Sequence, residues 1–139
     1  MGGAAQIIAG IMEFRRNNTF GATAFTAYGF FWWSLILIWI KPFEGIAAAD
    51  EKSMGFYLLL WGIFTLMMFI GTLKHNRATQ VVFLSLAALF FLLSIGDFTG
   101  IAAVKVLAGY VGIFCGCSAL YNSFGQIVNG EFGKTIFPL

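Results

Sequence analysis

Residues 53–73 read SMGFYLLLWGIFTLMMFIGTL, a continuous run without a charged side chain. At a rise of about 1.5 Å per residue, a helix of this length matches the hydrocarbon core of a bilayer, which is about 30 Å thick. The run is too long for a buried strand, and it lacks the strict alternation of apolar and polar residues that a half-buried strand shows. It therefore predicts a transmembrane helix.

Apolar stretches of similar character flank this run on both sides, and short polar breaks separate them. The predicted segments are 1–14, 20–40, 53–73, 79–95 and 101–122, with a tail over 123–139. The first is too short to span a bilayer, whereas the others are long enough. We therefore predict an all-α integral membrane protein in which residues 1–139 form a single transmembrane domain, a bundle of helices.

Composition supports the same class. Of the 139 residues, 60% are hydrophobic and 10% are charged, and the mean hydropathy is +0.88. A soluble domain carries about 25% charged residues, so this chain has too few polar groups to cover a surface facing water. The expected surrounding is the lipid bilayer. The net charge of +2 is scattered over short loops and forms no basic patch, so we expect no nucleic-acid partner.

Glycine is as abundant as phenylalanine, with 17 residues of each. In lipid, small residues let helix backbones approach each other closely. Gly109, Gly112 and Gly116 lie on the last predicted helix and include a GxxxG spacing. They predict close packing of that helix against a neighbour.

The polar breaks differ in charge. The breaks containing Arg15-Arg16 and residues 74–77 are basic, whereas the long break 41–52, which begins with the helix-breaking pair Lys41-Pro42, has no basic excess. This alternation is the positive-inside pattern. It predicts that both basic breaks and the C-terminal tail lie on the cytoplasmic side of the cell membrane. The short first segment is interpreted as the end of a helix that starts upstream of this chain.

The sequence offers no catalytic or metal-binding pattern. No HExxH, GxSxG, P-loop or CxxC signature occurs. Cys115 and Cys117 lie two apart on a predicted helix, so they point in different directions and cannot bridge each other; we interpret both as small buried packing residues. His75 is the single histidine and cannot form a ligand cluster by itself. We expect no enzyme, no cofactor and no metal.

Polar residues at membrane depth are costly and invite a functional interpretation. Gln6 and Glu13 are seven residues apart on the first segment, hence on one helical face, and Gly3 and Gly10 lie close to the same line. Together they predict a polar groove backed by closely packed neighbours. The alternative is that Gln6 forms a hydrogen bond between helices and that Glu13 is an interfacial residue paired with Arg16.

A second polar stripe follows the last helix, provided that this helix continues into the tail. Its members are Cys115, Ser118, Asn122, Gln126 and Asn129. Such a stripe supplies hydrogen bonds without fixed charge along a small-anion path. Equally, it fits a packed seam in which Ser and Asn bond across helices. On the second segment, Thr23 shares a face with Thr26, although a Thr hydroxyl can also bond back to its own helix.

Several short motifs resemble the acetate uptake transporter family, also called the succinate–acetate permease family. The most specific block is GGAAQIIAGIME at residues 2–13, followed by NTFG at 18–21. Further matches are TAF at 23–25, YG at 28–29, FW at 31–32, LWG at 60–62, FIGTLK at 69–74, SIG at 94–96, AG at 108–109, Asn129, EFG at 131–133 and Pro138. The matches extend over nearly the whole chain.

The resemblance implies a six-helix protein with both termini in the cytoplasm, assembled as a homo-hexamer in which each protomer has its own pathway. It implies conduction of acetate and, in some members, succinate, by a channel or by proton coupling. Tyr28 and Leu86 match members of a hydrophobic constriction, and Ala119 matches a position associated with substrate size. The family's Asn-Pro-Ala-Pro-Leu-Gly segment, on its first helix, and the start of its second helix are missing from this sequence, and Gln126 stands where Glu is often found.

The function expected from these observations is a permease or channel for acetate and similar small carboxylates, succinate included, either passive or proton-coupled. The candidates for hydrogen bonding to the substrate are Gln6, Glu13, Thr23, Ser118 and Asn122. The alternative from another class is a membrane sensor or assembly protein that binds small carboxylates without transporting them.

Overall fold

The computed structural model describes residues 1–40, 45 and 47–139, and within them it is all-helical, as predicted. The helices are α1 (Gly2–Arg15), α2 (Thr19–Ile40), α3 (Glu51–Gly71), α4 (Arg77–Thr99) and α5 (Ala102–Phe132), and a short 3-10 helix, Thr72–Lys74, follows α3. Four of the described helices, α2 to α5, are long and apolar enough to cross a membrane. The expected break at Lys41-Pro42 lies outside the described residues.

The described residues fall into two compact units, Met1–Ala49 and Asp50–Leu139. The first unit pairs α1 with α2. Between them, Asn17 adopts a left-handed conformation with φ 57°, which Asn tolerates better than most residues. The side chain of Asn18 then begins α2 by accepting a hydrogen bond from the Gly21 N–H at 3.1 Å. The single domain expected over 1–139 stays a prediction.

Two glycines set how closely α1 and α2 approach. A Cβ added to Gly3 would lie 2.8 Å from the Gly29 carbonyl oxygen, and a Cβ added to Gly29 would lie 2.7 Å from the Gly3 carbonyl oxygen. Both distances are well inside van der Waals contact, so neither position accepts a side chain unless the helices move apart. This interface confirms close backbone packing for the first segment.

The second unit begins with two capped helices. The Asp50 carboxylate accepts a hydrogen bond from the Ser53 N–H at 2.8 Å at the start of α3, and the Asn76 side chain accepts one from the Thr79 N–H at 2.7 Å at the start of α4. Both are N-cap bonds, which satisfy amides that have no partner within the helix. Hydrogen bonds from the Ser53 side chain and then from its backbone hold the pKa of Asp50 below its ordinary value.

Helix α4 packs against both α3 and α5. The Ser94 hydroxyl donates a buried hydrogen bond to the Gly55 carbonyl oxygen at 2.8 Å, which joins α4 to α3. At one end of the unit, the Lys105 ammonium on α5 lies 3.0 Å from Asp97 on α4 and 3.4 Å from Glu51 on α3. The three helices are therefore connected by side-chain bonds as well as by packing.

Polar side chains are buried in this chain and many large apolar side chains are exposed, in contrast to a soluble protein. The largest fully buried side chains in the described residues are Thr65, Thr72 and Ser94. Large apolar side chains such as Trp39, Leu60 and Phe124 are exposed, each by 60% or more. Small and polar groups inside with bulky apolar groups outside is the pattern of helices that pack together in lipid.

Two helices are longer than the apolar segments from which they were predicted. Helix α4 continues past residue 95 to Thr99 and ends at Gly100, whose φ is 68°. Helix α5 continues past residue 122 to Phe132 and ends at Gly133, whose φ is 62°. In each case the helix ends where a glycine adopts the left-handed conformation, because polar residues alone do not stop a helix. Most of the expected tail is thus helical.

One packing prediction for α5 is wrong, and another has no support within the described residues. In the part of the chain that the structure describes, a Cβ added to Gly109 or Gly116 would meet no atom within 4 Å, and one on Gly112 would meet only Leu89, at 3.5 Å. Cys115 is buried as predicted, whereas Cys117 is exposed, and both are free. The reason is geometric, since only one face of α5 packs on α4 and both glycines and Cys117 lie off that face.

Candidate functional site

Gln6 and Tyr28 are the predicted site residues that lie deepest in the first unit. Tyr28, on α2, is 7% exposed. Gln6, on α1, is half-buried, and its side-chain oxygen Oε1 is shielded from solvent with no hydrogen-bond partner among the described residues. A buried polar atom without a partner is rare, and it indicates either a ligand position or a water.

Glu13 is engaged at the end of α1. Its carboxylate accepts a hydrogen bond from the Asn18 side chain at 2.6 Å and lies 4.0 Å from the Arg16 guanidinium. These are the contacts that the interfacial interpretation of Glu13 predicts. Glu13 and Gln6 share a helical face, but they differ in their contacts: the Glu13 carboxylate has partners and the Gln6 side-chain oxygen has none within the described residues.

Thr23 lies in an open groove of about 450 Å³ within the first unit. The groove is lined by Gly10, Ile11, Phe14, Thr19, Ala22, Thr23 and Thr26. Thr23 is exposed, and within the described residues its hydroxyl makes no hydrogen bond. By contrast, Thr65 bonds back to the Trp61 carbonyl at 2.7 Å, as expected for a threonine in a packed helix.

Leu86 and Ala119 belong to the second unit, on α4 and α5. Leu86 is half-buried, and its neighbours in sequence, Ser85 and Ala87, are buried. The Ser85 hydroxyl donates to the Val81 carbonyl of its own helix at 2.7 Å, so its proton is not available to donate to a solute. Ala119 is exposed.

The polar stripe of α5 forms, because the helix continues through the tail, and its members are hydrogen-bonded. The Asn122 side chain donates to the Thr79 hydroxyl of α4 at 3.1 Å and accepts from Gln126 at 3.0 Å. Ser118 donates to the Cys115 carbonyl of its own helix at 2.8 Å. The bond from Asn122 to Thr79 is what a helix–helix seam predicts, while Ser118 keeps its oxygen lone pairs available to accept a bond.

After Gly133 the chain turns back along α5, a feature that the sequence analysis missed. We call residues 133–139 the C-terminal strap. The Asn129 side chain donates to the Phe137 carbonyl at 2.8 Å and accepts from the N–H groups of Ile136 and Phe137 at 2.7 and 2.9 Å. The Tyr121 hydroxyl donates to the Pro138 carbonyl at 2.7 Å. A glycine after a long apolar helix is the sequence signal for such a turn.

The strap borders a cavity of about 300 Å³ in the second unit. Its lining residues are Arg77, Ala78, Val81, Ser118, Tyr121, Pro138 and Leu139. The lining is mostly apolar, with one guanidinium and two hydroxyl-bearing side chains. Small-molecule sites commonly combine an apolar wall with a few polar groups in this way, at volumes of about 300 Å³ and above. Within the described residues, no group of three or more His, Cys, Asp or Glu side chains could hold a metal ion.

Comparison with known proteins gives consistent matches over the length of the chain. The model of the GPR1/FUN34/yaaH family matches residues 1–138. A succinate-acetate/proton symporter, SatP, of Escherichia coli (strain K12) is 50% identical over 139 residues, which is 99% of this chain and 74% of that protein. An uncharacterized protein of Methanothermobacter thermautotrophicus is also 50% identical, over 99% of this chain and 71% of its own length.

A solved structure shares the fold. The structure of the bacterial acetate channel SatP superimposes with a TM-score of 0.96 at 50% sequence identity. The match covers 99% of this chain and 77% of that one. This similarity shows that the two chains share their helical arrangement.

Proposed function

This chain belongs to the GPR1/FUN34/yaaH family, and we propose that it is a permease or channel for acetate and similar small carboxylates, succinate included. It is a multi-pass membrane protein. The observation that carries the proposal is the 50% identity, over 99% of this chain, to a protein named as a succinate-acetate/proton symporter. The match to a solved acetate channel, at the same 50% identity, agrees with this proposal in fold.

The path that we propose passes a hydrophobic constriction to which Tyr28 and Leu86 contribute, and Ala119 limits the size of the solute. An apolar constriction opposes a bare carboxylate, because removing a charge from water without a partner is costly. The protonated acid avoids most of that penalty. It also fits Gln6, since an amide oxygen accepts hydrogen bonds and cannot donate them. The unpaired Oε1 would receive the O–H of an acid, and the Ser118 oxygen would do the same.

The remaining polar candidates have supporting roles in this proposal. Thr23, whose hydroxyl is not bonded to its own helix, is available to a solute. Asn122 would have to exchange its bond to Thr79, and Glu13 would act at the surface, where Asn18 and Arg16 already hold it. No catalytic role is proposed for any residue, in keeping with the transport activity of the relatives.

The proposal extends to assembly and orientation. We propose a homo-hexamer in which each protomer has its own pathway, situated in the cell membrane with the C-terminus in the cytoplasm. The basic residues 74–77 and Arg15-Arg16 support this orientation through the positive-inside rule. Crosslinking in native membranes tests the number of subunits, and a hexameric band or its absence decides it.

The direct test is uptake of labelled acetate into liposomes containing the purified protein, with and without an imposed pH gradient. We expect uptake above that of protein-free liposomes, competed by unlabelled acetate and not by a neutral sugar. Dependence on the gradient indicates proton coupling. No uptake by protein that is folded and oligomeric would contradict the proposal and favour a sensor that binds carboxylates without transporting them.

The constriction is tested by Leu86→Ala, with Leu84→Ala as a matched control on the exposed face of α4. Removing the Leu86 side chain widens the path, so longer monocarboxylates should gain uptake relative to acetate. The control should retain the selectivity of the unaltered protein. Equal selectivity in both variants would exclude Leu86 from the constriction.

A further inference from the structure

The C-terminal strap is fastened to α5 at several points. The Asn129 side chain makes three hydrogen bonds to the backbone of residues 136 and 137. Tyr121 adds a fourth bond, to the Pro138 carbonyl, and its ring contacts that of Phe137 edge-on at a centroid distance of 6.1 Å, which is typical of aromatic pairs. A segment held by four hydrogen bonds has a defined position on the helix.

Gly125 is the position at which the strap comes nearest to α5. A Cβ added there would lie 2.5 Å from the Leu139 side chain. Leu139 therefore lies directly against the helix backbone, with Pro138 beside it. Together these two residues form one wall of the 300 Å³ cavity whose other walls are α4 and α5.

The cavity contains a cation that the fold does not neutralise. Arg77 is exposed at the first turn of α4 and lines the cavity, and it makes no ion pair with the carboxylates of the described residues. Arg16 pairs with Glu13 and Lys105 with Asp97, so these cations are engaged. A guanidinium binds a carboxylate through two parallel hydrogen bonds, and the positive N-terminal end of α4 adds to the attraction.

We propose that this cavity is a docking site for small ionised carboxylates, in which Arg77 binds the carboxylate and the strap limits the length of the chain behind it. The inference rests on the proposed function, because the docking site holds the carboxylate anion before that anion is protonated and passes the constriction. Ser118 offers a hydroxyl on the same cavity. The apolar wall of Pro138 and Leu139 faces the hydrocarbon part of the ligand.

Protection of Arg77 from chemical modification tests the site without relying on transport. The purified full chain is treated with phenylglyoxal, which modifies arginine, and each arginine-containing peptide is quantified by mass spectrometry. Acetate should slow the modification of Arg77 several-fold, while Arg15, which is also exposed, should be modified at an unchanged rate. Chloride at the same ionic strength should protect neither. Equal effects of acetate on Arg77 and Arg15 would overturn the proposal.

The role of the strap is tested by Asn129→Ala, with Gln126→Ala as the matched control on the same face of α5. Loss of three hydrogen bonds frees the strap, so hexanoate should protect Arg77 in the Asn129→Ala protein and should fail to protect it in the Gln126→Ala protein. Tyr121→Phe removes one bond and should have a smaller effect, which keeps the test available if Asn129→Ala does not fold. Identical protection by hexanoate in all variants would exclude the strap as a wall of the site.

Uptake measured on the same preparations separates the two proposals. Arg77→Gln should lower uptake at low acetate concentration by at least about tenfold, since it removes the charge-assisted hydrogen bonds to the carboxylate, and Arg15→Gln should leave it unchanged. Uptake without protection of Arg77 overturns the docking site and leaves the proposed function standing. Protection of Arg77 without uptake supports the site and overturns the function.

Discussion

The two units hold their helices together by different means. In the first unit, α1 and α2 meet through Gly3 and Gly29, each of which lies against the backbone of the other helix. In the second unit, side-chain hydrogen bonds join the helices, from Ser94 to Gly55 and from Asn122 to Thr79. Both solutions are available in lipid, where neighbouring helices gain little from the hydrophobic effect.

The difference shows where each unit tolerates change. A glycine contact depends on the absence of atoms, so any added side chain disrupts it. A hydrogen bond depends on one donor and one acceptor, and its loss leaves the surrounding packing in place. Substitutions at Gly3 or Gly29 should therefore be more damaging than those that remove a single polar group in the second unit.

The largest effect is expected from Gly29→Ala. Its new Cβ would lie 2.7 Å from the Gly3 carbonyl oxygen, and overpacking of this kind destabilises by about 1–3 kcal/mol. The matched control is Gly130→Ala on α5, where a Cβ meets no atom within 4 Å. There, higher helix propensity should stabilise by up to about 1 kcal/mol. Unfolding of both variants in detergent measures the difference, and a shift of the same sign in both would refute the glycine contact.

A smaller loss should follow from Ser94→Ala. This change removes the buried hydrogen bond to Gly55, and bonds between membrane helices contribute about 0.6 kcal/mol on average, with a maximum near 1.7. Thr99→Ala is the control, since the Thr99 hydroxyl bonds only to residues near it in sequence: it donates to the Ile95 carbonyl of its own helix and accepts a long bond from the Ile101 N–H. If Thr99→Ala destabilises the protein as much as Ser94→Ala, the bond between α3 and α4 has no special role.

The contribution of Lys105 should be small and should depend on salt. Its ion pairs with Asp97 and Glu51 involve partly exposed side chains, and exposed pairs are weakened by solvent and by counterions. Lys105→Gln should lower the unfolding midpoint slightly at low salt, and the difference from the unaltered protein should vanish at 1 M salt. A difference that survives high salt would indicate that packing, not charge, is responsible.

The smallest expected effect is the dependence of stability on pH through the Asp50 cap of α3. The pKa of Asp50 is lowered in the folded protein by its bonds to Ser53. The carboxylate therefore stabilises the fold above the pKa of the unfolded chain, and this contribution is lost as the pH falls through the folded pKa. Asp50→Asn keeps a capping oxygen, so its free energy of unfolding should lack the pH-dependent contribution of the carboxylate. Asn76, the cap of α4, already has no titrating group, so Asn76→Ser should not alter the pH profile between 7 and 3.

The sequence predicts the class of fold well and the helix ends less well. The charge-free run of residues 53–73 is enough to identify α3, since apolar length alone determines that a helix spans lipid. The apolar pattern ends the last predicted segment at residue 122, whereas α5 continues to its cap at Gly133, because polar side chains do not stop a helix. A helix can continue into water, and only backbone conformation stops it.

The role of the predicted site residues stays a prediction. Motif and position point to Gln6 and Tyr28, and the structure shows that Tyr28 is buried and Gln6 half-buried. The bond from Asn122 to Thr79 could not be foreseen, because it depends on the rotation of two helices whose apolar faces give no register. In the sequence, Arg77 is only part of a basic break that predicts orientation. Its place on a cavity depends on the return of the strap, a contact between distant residues that no local pattern contains.

The hairpin of α3 and α4 affects the order in which the helices can pair during synthesis. Only the 3-10 helix and two further residues separate the helices, and the bond from Ser94 to Gly55 joins positions 39 residues apart. Contacts between neighbours in the chain form fast, because little loop has to be closed. During synthesis the hairpin can therefore assemble while α5 has still to emerge from the ribosome, so the Ser94 hydroxyl finds its partner without waiting for the rest of the chain.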